Sequence, residues 1–206
     1  VKSTNGQAVT VRVSAVNDAG FSPNSDPSQP VTAYGKPTTP VLSSILPGNR
    51  NITVSFVGTD LSGGPAPTFE VTASPSGTAI NGTTSPIILP NLVNGQLYTI
   101  SVVAINPSGR SIAAISSNAV SPATTPFAPI ITGVIAGNER AAVSFDPPSN
   151  DGGSSITKYT VVTSPGEATA SGSSSPIVVT GLQNTQSYTF VVYASNRMGD
   201  GYLSSA

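Results

Sequence analysis

The 206 residues carry a formal net charge of −1, with eight Lys and Arg, nine Asp and Glu, no His and no Cys. The missing His and Cys remove His general bases, nucleophile–His triads, Cys nucleophiles and thiolate zinc sites from consideration. Eight dispersed cations do not make a phosphate-tracking surface, and no apolar run approaches the roughly 20 residues of a membrane span. Neither nucleic acid nor membrane insertion is expected.

With 20 Gly, 19 Pro, abundant Ser and Thr, and no convincing helical periodicity, the composition reads as all-β. Three stretches organise the chain: Val9–Gly20, Tyr98–Gly109 and Tyr188–Gly199, each an alternating strand followed by Ala-x-Asn-x-x-Gly. Alternation puts Val9, Val11, Val13 and Ala15 on one face, then Tyr98, Ile100, Val102 and Ala104, then Tyr188, Phe190, Val192 and Ala194. The Asn suits left-handed or self-bonded turn geometry, the Gly supplies positive φ, and a hairpin partner is expected to follow. Val54-Ser-Phe56 recurs as Val143-Ser-Phe145, 89 residues on, and Asn5-Gly-Gln7 recurs as Asn94-Gly-Gln96 and Asn184-Thr-Gln186. A period of about 90 residues is the size of a small autonomous β domain, so the chain holds about two and a third repeats.

In chain order, residues 1–34 match the last two strands of a repeat, with a strand Val9–Asn17 and a return through Pro30–Ala33. Two strands alone are marginal in water, so earlier chain or another molecule is expected over the Val9/Val11/Val13 face. The second segment, 36–122, is a complete repeat. Its expected strands are Val41–Ile45, Asn51–Val57, Thr68–Ser74, Pro86–Leu89, Leu97–Ile105 and Ser111–Val120, with a Gly/Pro-rich loop over Gly58–Pro67. The third, 126–206, repeats the plan over Ile130–Ile135, Arg140–Phe145, Ile156–Ser164, Pro176–Thr180 and Ser187–Asn196. Its final half-strand, Gly201–Ala206, stops at the position of Ser116. Proline-stiffened connectors, Tyr34–Pro40 and Ser121–Pro126, separate the segments. Opening within a repeat and lacking an initiating Met, the chain is expected to be an excerpt of a longer polypeptide.

Val143-Ser-Phe-Asp-Pro-Pro148, Gly152-Gly-Ser-Ser-Ile-Thr-Lys-Tyr-Thr-Val161, Ser174–Leu182 and Tyr188–Gly199 together resemble the fibronectin type III family in its microbial and bacteriophage extracellular form. The resemblance implies tandem immunoglobulin-like, seven-stranded β-sandwiches. It further implies a structural core of Phe56, Phe145, Leu92, Tyr98, Leu182 and Tyr188, with Leu six residues before the corner Tyr in Leu92/Tyr98 and Leu182/Tyr188. Phe56 and Phe145 replace the family's core Trp. Val9 stands where the first corner Tyr belongs, so that bond is expected to be absent. No Arg-Gly-Asp is present to carry integrin-type adhesion.

Catalysis has little left to stand on. Asp146 and Asp151 flank one loop and are weighed as paired carboxylates, and together with Asn150 as calcium ligands, but the first full repeat has Val57 where Asp146 stands. Turn roles are favoured: Asp146 capping Pro147-Pro148, and Asn150-Asp151-Gly152 a second turn. Gly63-Gly64 and Gly152-Gly153 open no helix and precede no Gly-Lys-Ser/Thr, so they read as flexible turns. Asn51 and Asn81 begin glycosylation sequons, meaningful only in a glycosylating secretory host. Tyr193, Phe21 and Tyr202, with Tyr34, are the candidate binding surface.

No catalytic residue, cofactor or metal is expected. The leading expectation is a non-catalytic spacer and adhesion segment, on a cell surface, virion surface or otherwise extracellular. Its expected partners are neighbouring domains of the same chain, other protein chains or surface glycans. A bacteriophage appendage or decoration protein, and a glycan- or protein-binding accessory module of a secreted polysaccharide-degrading enzyme, are the alternatives. The absence of cysteine removes disulfide evidence for secretion without arguing for the cytosol.

Overall fold

The computed structural model describes residues 4–58 and 62–206. Thr59, Asp60 and Leu61 of the expected Gly58–Pro67 loop, and the first three residues of the 1–34 segment, lie outside them. Among the described residues every regular element is a strand: β1 (Ala8–Val9), β2 (Val16–Asn17), β3 (Gly20–Phe21), β4 (Val31–Thr32), β5 (Val41–Gly48), β6 (Asn51–Val57), β7 (Thr68–Ser74), β8 (Thr78–Gly82), β9 (Ile87–Leu89), β10 (Thr99–Asn106), β11 (Gly109–Arg110) and β12 (Ala114–Ile115). The third segment follows with β13 (Ile130–Gly137), β14 (Arg140–Asp146), β15 (Lys158–Ser164), β16 (Thr169–Gly172), β17 (Ile177–Thr180), β18 (Thr189–Asn196) and β19 (Gly199–Asp200).

Two β-sandwiches result. One sets a three-stranded sheet, β5-β6-β9, with a sheet ordered β11-β10-β7-β8, in which β12 also pairs with β10. The other sets β13-β14-β17 with the four-stranded β16-β15-β18-β19. Alternation decides what is buried: Ile52, Val54 and Phe56 point inward from β6, Phe69, Val71 and Ala73 from β7, and Ile100, Val102 and Ala104 from β10. In the last sandwich the core gathers Val143, Phe145, Tyr159, Val161, Val179 and Val192, with Leu182 at its edge. Each such Val or Phe contributes about 1.5–3 kcal/mol by leaving water. The Phe56 and Phe69 rings lie 4.8 Å apart, and the Phe145 and Tyr159 rings 4.9 Å apart, both tilted. An aromatic on the strand opposite thus completes the volume around each phenylalanine.

The chain divides into two compact units. The first comprises residues 1–46, 53–89 and 98–119; the second comprises 47–52, 90–97 and 120–206.

Three features depart from the expected strands. The edge strands β8 and β16 have no counterpart among them. Each is short, with side chains alternating between half-buried and exposed, so no apolar face announces it. The expected Ser111–Val120 strand is reduced to β11 and β12, and Gly201–Ala206 forms no strand. The first segment likewise has only two-residue strands where Val9–Asn17 was expected to run continuously.

Serine explains the second and third departures. In the first segment Ser22, Ser25 and Ser28 donate their backbone N–H to the carbonyls of Ala15, Val13 and Val11. Their hydroxyl oxygens accept the N–H groups of the same three residues, at 2.9, 3.1 and 3.0 Å. Ser111 and Ser116 do this for Ala104 and Ile100, and Ser204 for Val192. In the first segment the pairing serines stand at every third position, which fits an extended, proline-compatible segment of period three, and Pro23, Pro27 and Pro30 accompany it. A period-two strand would not present those serines to one edge.

Candidate functional site

The most elaborated polar geometry lies where each connector enters its sandwich. Asn106 closes its turn by accepting the Ser108 N–H on Oδ1 at 2.9 Å, and Asn196 does so for Met198 at 2.8 Å. Asn17 makes the same bond with Ala19. The glycines that follow, Gly20, Gly109 and Gly199, take φ of 126°, 129° and 119°. The other end of the amide has a second task. Within the first unit, Asn106 Nδ2 donates to the Gly35 carbonyl, 71 residues earlier, at 2.9 Å. Within the second, Asn196 Nδ2 donates to Thr124 O at 2.8 Å and Asp151 O at 2.7 Å. Both asparagines are buried, so these bonds act where an unpaired amide would be costly. Thr124 N–H to Gly152 O and Phe127 N–H to Asn150 O extend the clamp, and Arg197 reaches the Ser121 carbonyl at 2.7 Å.

The glycine pairs belong to this geometry, which corrects their reading as flexible turns. Gly153 has φ of 81°, and a Cβ there would lie 2.6 Å from the Asn94 carbonyl carbon. At Gly63, φ 71°, a Cβ would lie 2.9 Å from the Asn5 carbonyl carbon. Backbone meets backbone at both places, and only glycine permits the approach. The recurring Asn-Gly-Gln motif is the other surface of each contact. Asn94 also holds its own sandwich: Oδ1 accepts Arg50 N–H at 2.8 Å and Nδ2 donates to Asn49 Oδ1 at 2.9 Å. Asn184 repeats this with Glu139 and Asn138.

Phe56, Phe145, Leu92, Tyr98 and Leu182 are all buried; Tyr188 is half-buried. The Tyr188 hydroxyl accepts the Gln183 N–H at 3.0 Å, forming the corner bond. Val9, having no hydroxyl, offers none. Burial pushes the Tyr159 hydroxyl above its ordinary value of 10.0.

The candidate surface residues do not converge on one patch. Phe21 is 81% exposed on β3. Tyr202 is exposed, with its ring edge-on to Phe127 at a centroid distance of 6.3 Å. Tyr193 is half-buried on β18 opposite Thr160, and Tyr34 packs its ring over Gly64. The acids act as turn groups in part. Asn150 Oδ1 and Asp151 Oδ1 accept the Gly152 and Gly153 N–H groups, both at 2.8 Å. The Asp146 carboxylate, expected to cap Pro147-Pro148, accepts no hydrogen bond among the described residues. Nor do the described residues bring three acidic side chains together as a metal cage. Of the sequon asparagines, Asn51 already donates its amide to Asn49 O, whereas Asn81 is exposed on β8.

Taken together, the two sheets, the corner tyrosine and the Greek-key-sized repeat define an immunoglobulin-like β-sandwich protein. Residues 126–206 match the model of the Fibronectin type III domain. Among solved structures, titin domains A168–A170 superpose with a TM-score of 0.50 at 19% identity, covering 96% of this chain and 72% of that one, which bears on the fold alone. A Kelch domain-containing protein of Sulfurisphaera tokodaii is 31% identical over 90% of this chain. Another, of Saccharolobus solfataricus, is 25% identical over 84%. The chain spans about a quarter of the length of these relatives, 26% and 24% respectively. Among the described residues no helix is long and apolar enough to cross a membrane.

Proposed function

We propose that the chain is a non-catalytic structural and adhesion segment of a larger extracellular or particle-surface protein, in which β-sandwich modules follow one another as spacers. The observation that carries this reading is where the polar side chains are spent. Asn106 and Asn196 are buried and committed to the carbonyls of the segments leading into their sandwiches. A scaffold whose buried amides fix its own connectors is built to transmit position. The length of the relatives agrees, since the matched region is a minor part of each. Its partners are neighbouring modules and, at the outer surface, protein chains or glycans; no cofactor takes part.

Single-molecule pulling on residues 1–206 tests this. A load-bearing spacer unfolds in two discrete events, one for the 36–122 segment and one for 126–206, each independent of added ligand. One concerted event, or a rupture force that depends on a small-molecule substrate, contradicts the proposal.

A further inference from the structure

Two Asn-x-Thr triplets, Asn51-Ile-Thr53 and Asn81-Gly-Thr83, carry the pattern for sugar transfer to an amide, and the fold treats them oppositely. Asn51 opens β6, which has a strand on either side in the sheet β5-β6-β9. Its half-buried side chain is already engaged: Nδ2 donates to Asn49 O at 3.0 Å, and Oδ1 lies 2.6 Å from where a Cβ on Gly48 would stand. Thr53 is half-buried on the same strand, and Ile52 between them is fully buried.

Asn81 lies on β8, the edge strand of its sheet, one residue before that strand ends in a bend over residues 83–85. Asn81 and Thr83 are both exposed, and no hydrogen bond engages the Asn81 side chain among the described residues. Gly82 between them faces inward, where a Cβ would lie 2.8 Å from Ile87 Cδ1. The acceptor amide and its hydroxyl therefore stand clear of the core, on a strand with one free edge, and an enzyme can grip all three residues from one side. Across the ladder Asn81 stands opposite Glu70, which pairs with Arg110, and Thr72 and Ser101 follow on the same face. Those groups can hydrogen-bond sugar hydroxyls. In the last sandwich Ser171 holds the matching ladder position, opposite Thr160, and shares a hydrogen bond with it at 3.0 Å. No amide is present there to modify.

We propose that the folded chain accepts one N-linked glycan, at Asn81 and not at Asn51. The inference rests on the extracellular reading above, since it needs a transferase and a lipid-diphosphate-linked sugar on the outward route. In the transfer, the Asn81 amide nitrogen bonds to the anomeric carbon. The bond from that carbon to the diphosphate oxygen breaks, the lipid diphosphate leaves with the electron pair, and the amide gives up one proton to the transferase. The glycan then lies over Glu70, Arg110 and Thr72 and covers the free edge of β8, where a strand of another chain could otherwise pair.

The test incubates the folded 206-residue chain with a purified oligosaccharyl transferase that requires only Asn-x-Ser/Thr, and with a lipid-diphosphate-linked oligosaccharide. Intact mass and peptide mapping read the product. Free peptides 49–55 and 79–85 should both be modified, whereas the folded chain should gain a single glycan, at Asn81. Asn81→Gln and Thr83→Ala should each lower the modified fraction at least tenfold, and Thr53→Ala should leave it unchanged. A folded chain that stays bare under conditions that modify peptide 79–85 overturns the proposal. So does modification of Asn51 in the folded chain to the same extent as Asn81. Because donor and transferase are supplied, failure here removes the site and leaves the spacer reading standing, while failure of the pulling experiment leaves the site.

Discussion

The hairpin of residues 8–33 and the hairpin centred on β10 share one sequence plan and differ in what lies over them. Val11 and Val13 are 56% and 68% exposed, whereas their counterparts Ile100 and Val102 are 0% exposed. Both hairpins nevertheless keep matching serine bonds along their outer edge: Val11 and Ala15 bond to Ser28 and Ser22 as Ile100 and Ala104 bond to Ser116 and Ser111. Hydrogen bonding therefore sets the register of the pair, and burial supplies the stability. The first can be drawn without the second, but it holds little on its own in water.

Substitution of a buried aromatic and of an exposed one should sharpen this contrast most. Phe145→Ala should cost about 3–5 kcal/mol, because it empties the space beside Tyr159. Phe21→Ala, at an exposed position, should stay within about 0.5 kcal/mol. Urea unfolding followed by far-ultraviolet circular dichroism separates the two.

Next in size is the connector clamp. Asn196→Ala leaves the Thr124 and Asp151 carbonyls without their donor and should cost about 2–3 kcal/mol. Faster proteolytic cutting near Thr124 should accompany it. Asn17→Ala, which loses only the bond from Ala19, should cost less than about 1 kcal/mol.

The serines sharpen the contrast further. Ser204→Ala strands the N–H of the fully buried Val192 and should cost about 1–2 kcal/mol. Ser25→Ala exposes the Val13 N–H to water, so thermal melting should shift little.

The smallest effect is at high pH. The Tyr159 hydroxyl titrates above its ordinary value of 10.0 in the folded chain, so the unfolded chain loses that proton first. Its contribution is fully present below pH 10 and is lost as pH rises toward the folded value. Tyr159→Phe should flatten the alkaline limb of a stability–pH curve relative to the parent chain.

The strands that bury one face were legible because alternation is a period-two signal: Asn51–Val57 and Thr68–Ser74 have the same limits in sequence and structure. Edge strands β8 and β16 were not, since a strand that buries little carries no apolar stripe. The return segments were misread as strands because isolated serines fasten them, every third residue at Ser22, Ser25 and Ser28 and otherwise Ser111, Ser116 and Ser204, rather than a continuous ladder. The turn role of the Ala-x-Asn-x-x-Gly asparagine was readable locally, but its bond to a carbonyl 71 or 72 residues away was not. Gly63 and Gly153 looked like flexible loop because their reason lies in a distant Asn-Gly motif. The recurrence of both motifs at one spacing was the available clue.

Amide hydrogen exchange across the three equivalent strands is the most direct measurement. The account predicts that the Ile100, Val102 and Ala104 amides exchange only through opening of their sandwich. Val192 and Ala194 should behave alike. Within residues 1–206 the Val11 and Ala15 amides, bonded to Ser28 and Ser22 as Ile100 and Ala104 are to Ser116 and Ser111, should exchange at least a hundredfold faster because the face they share is exposed. Equal protection of Val11 and Ile100 would contradict the division between register and stability on which the account rests.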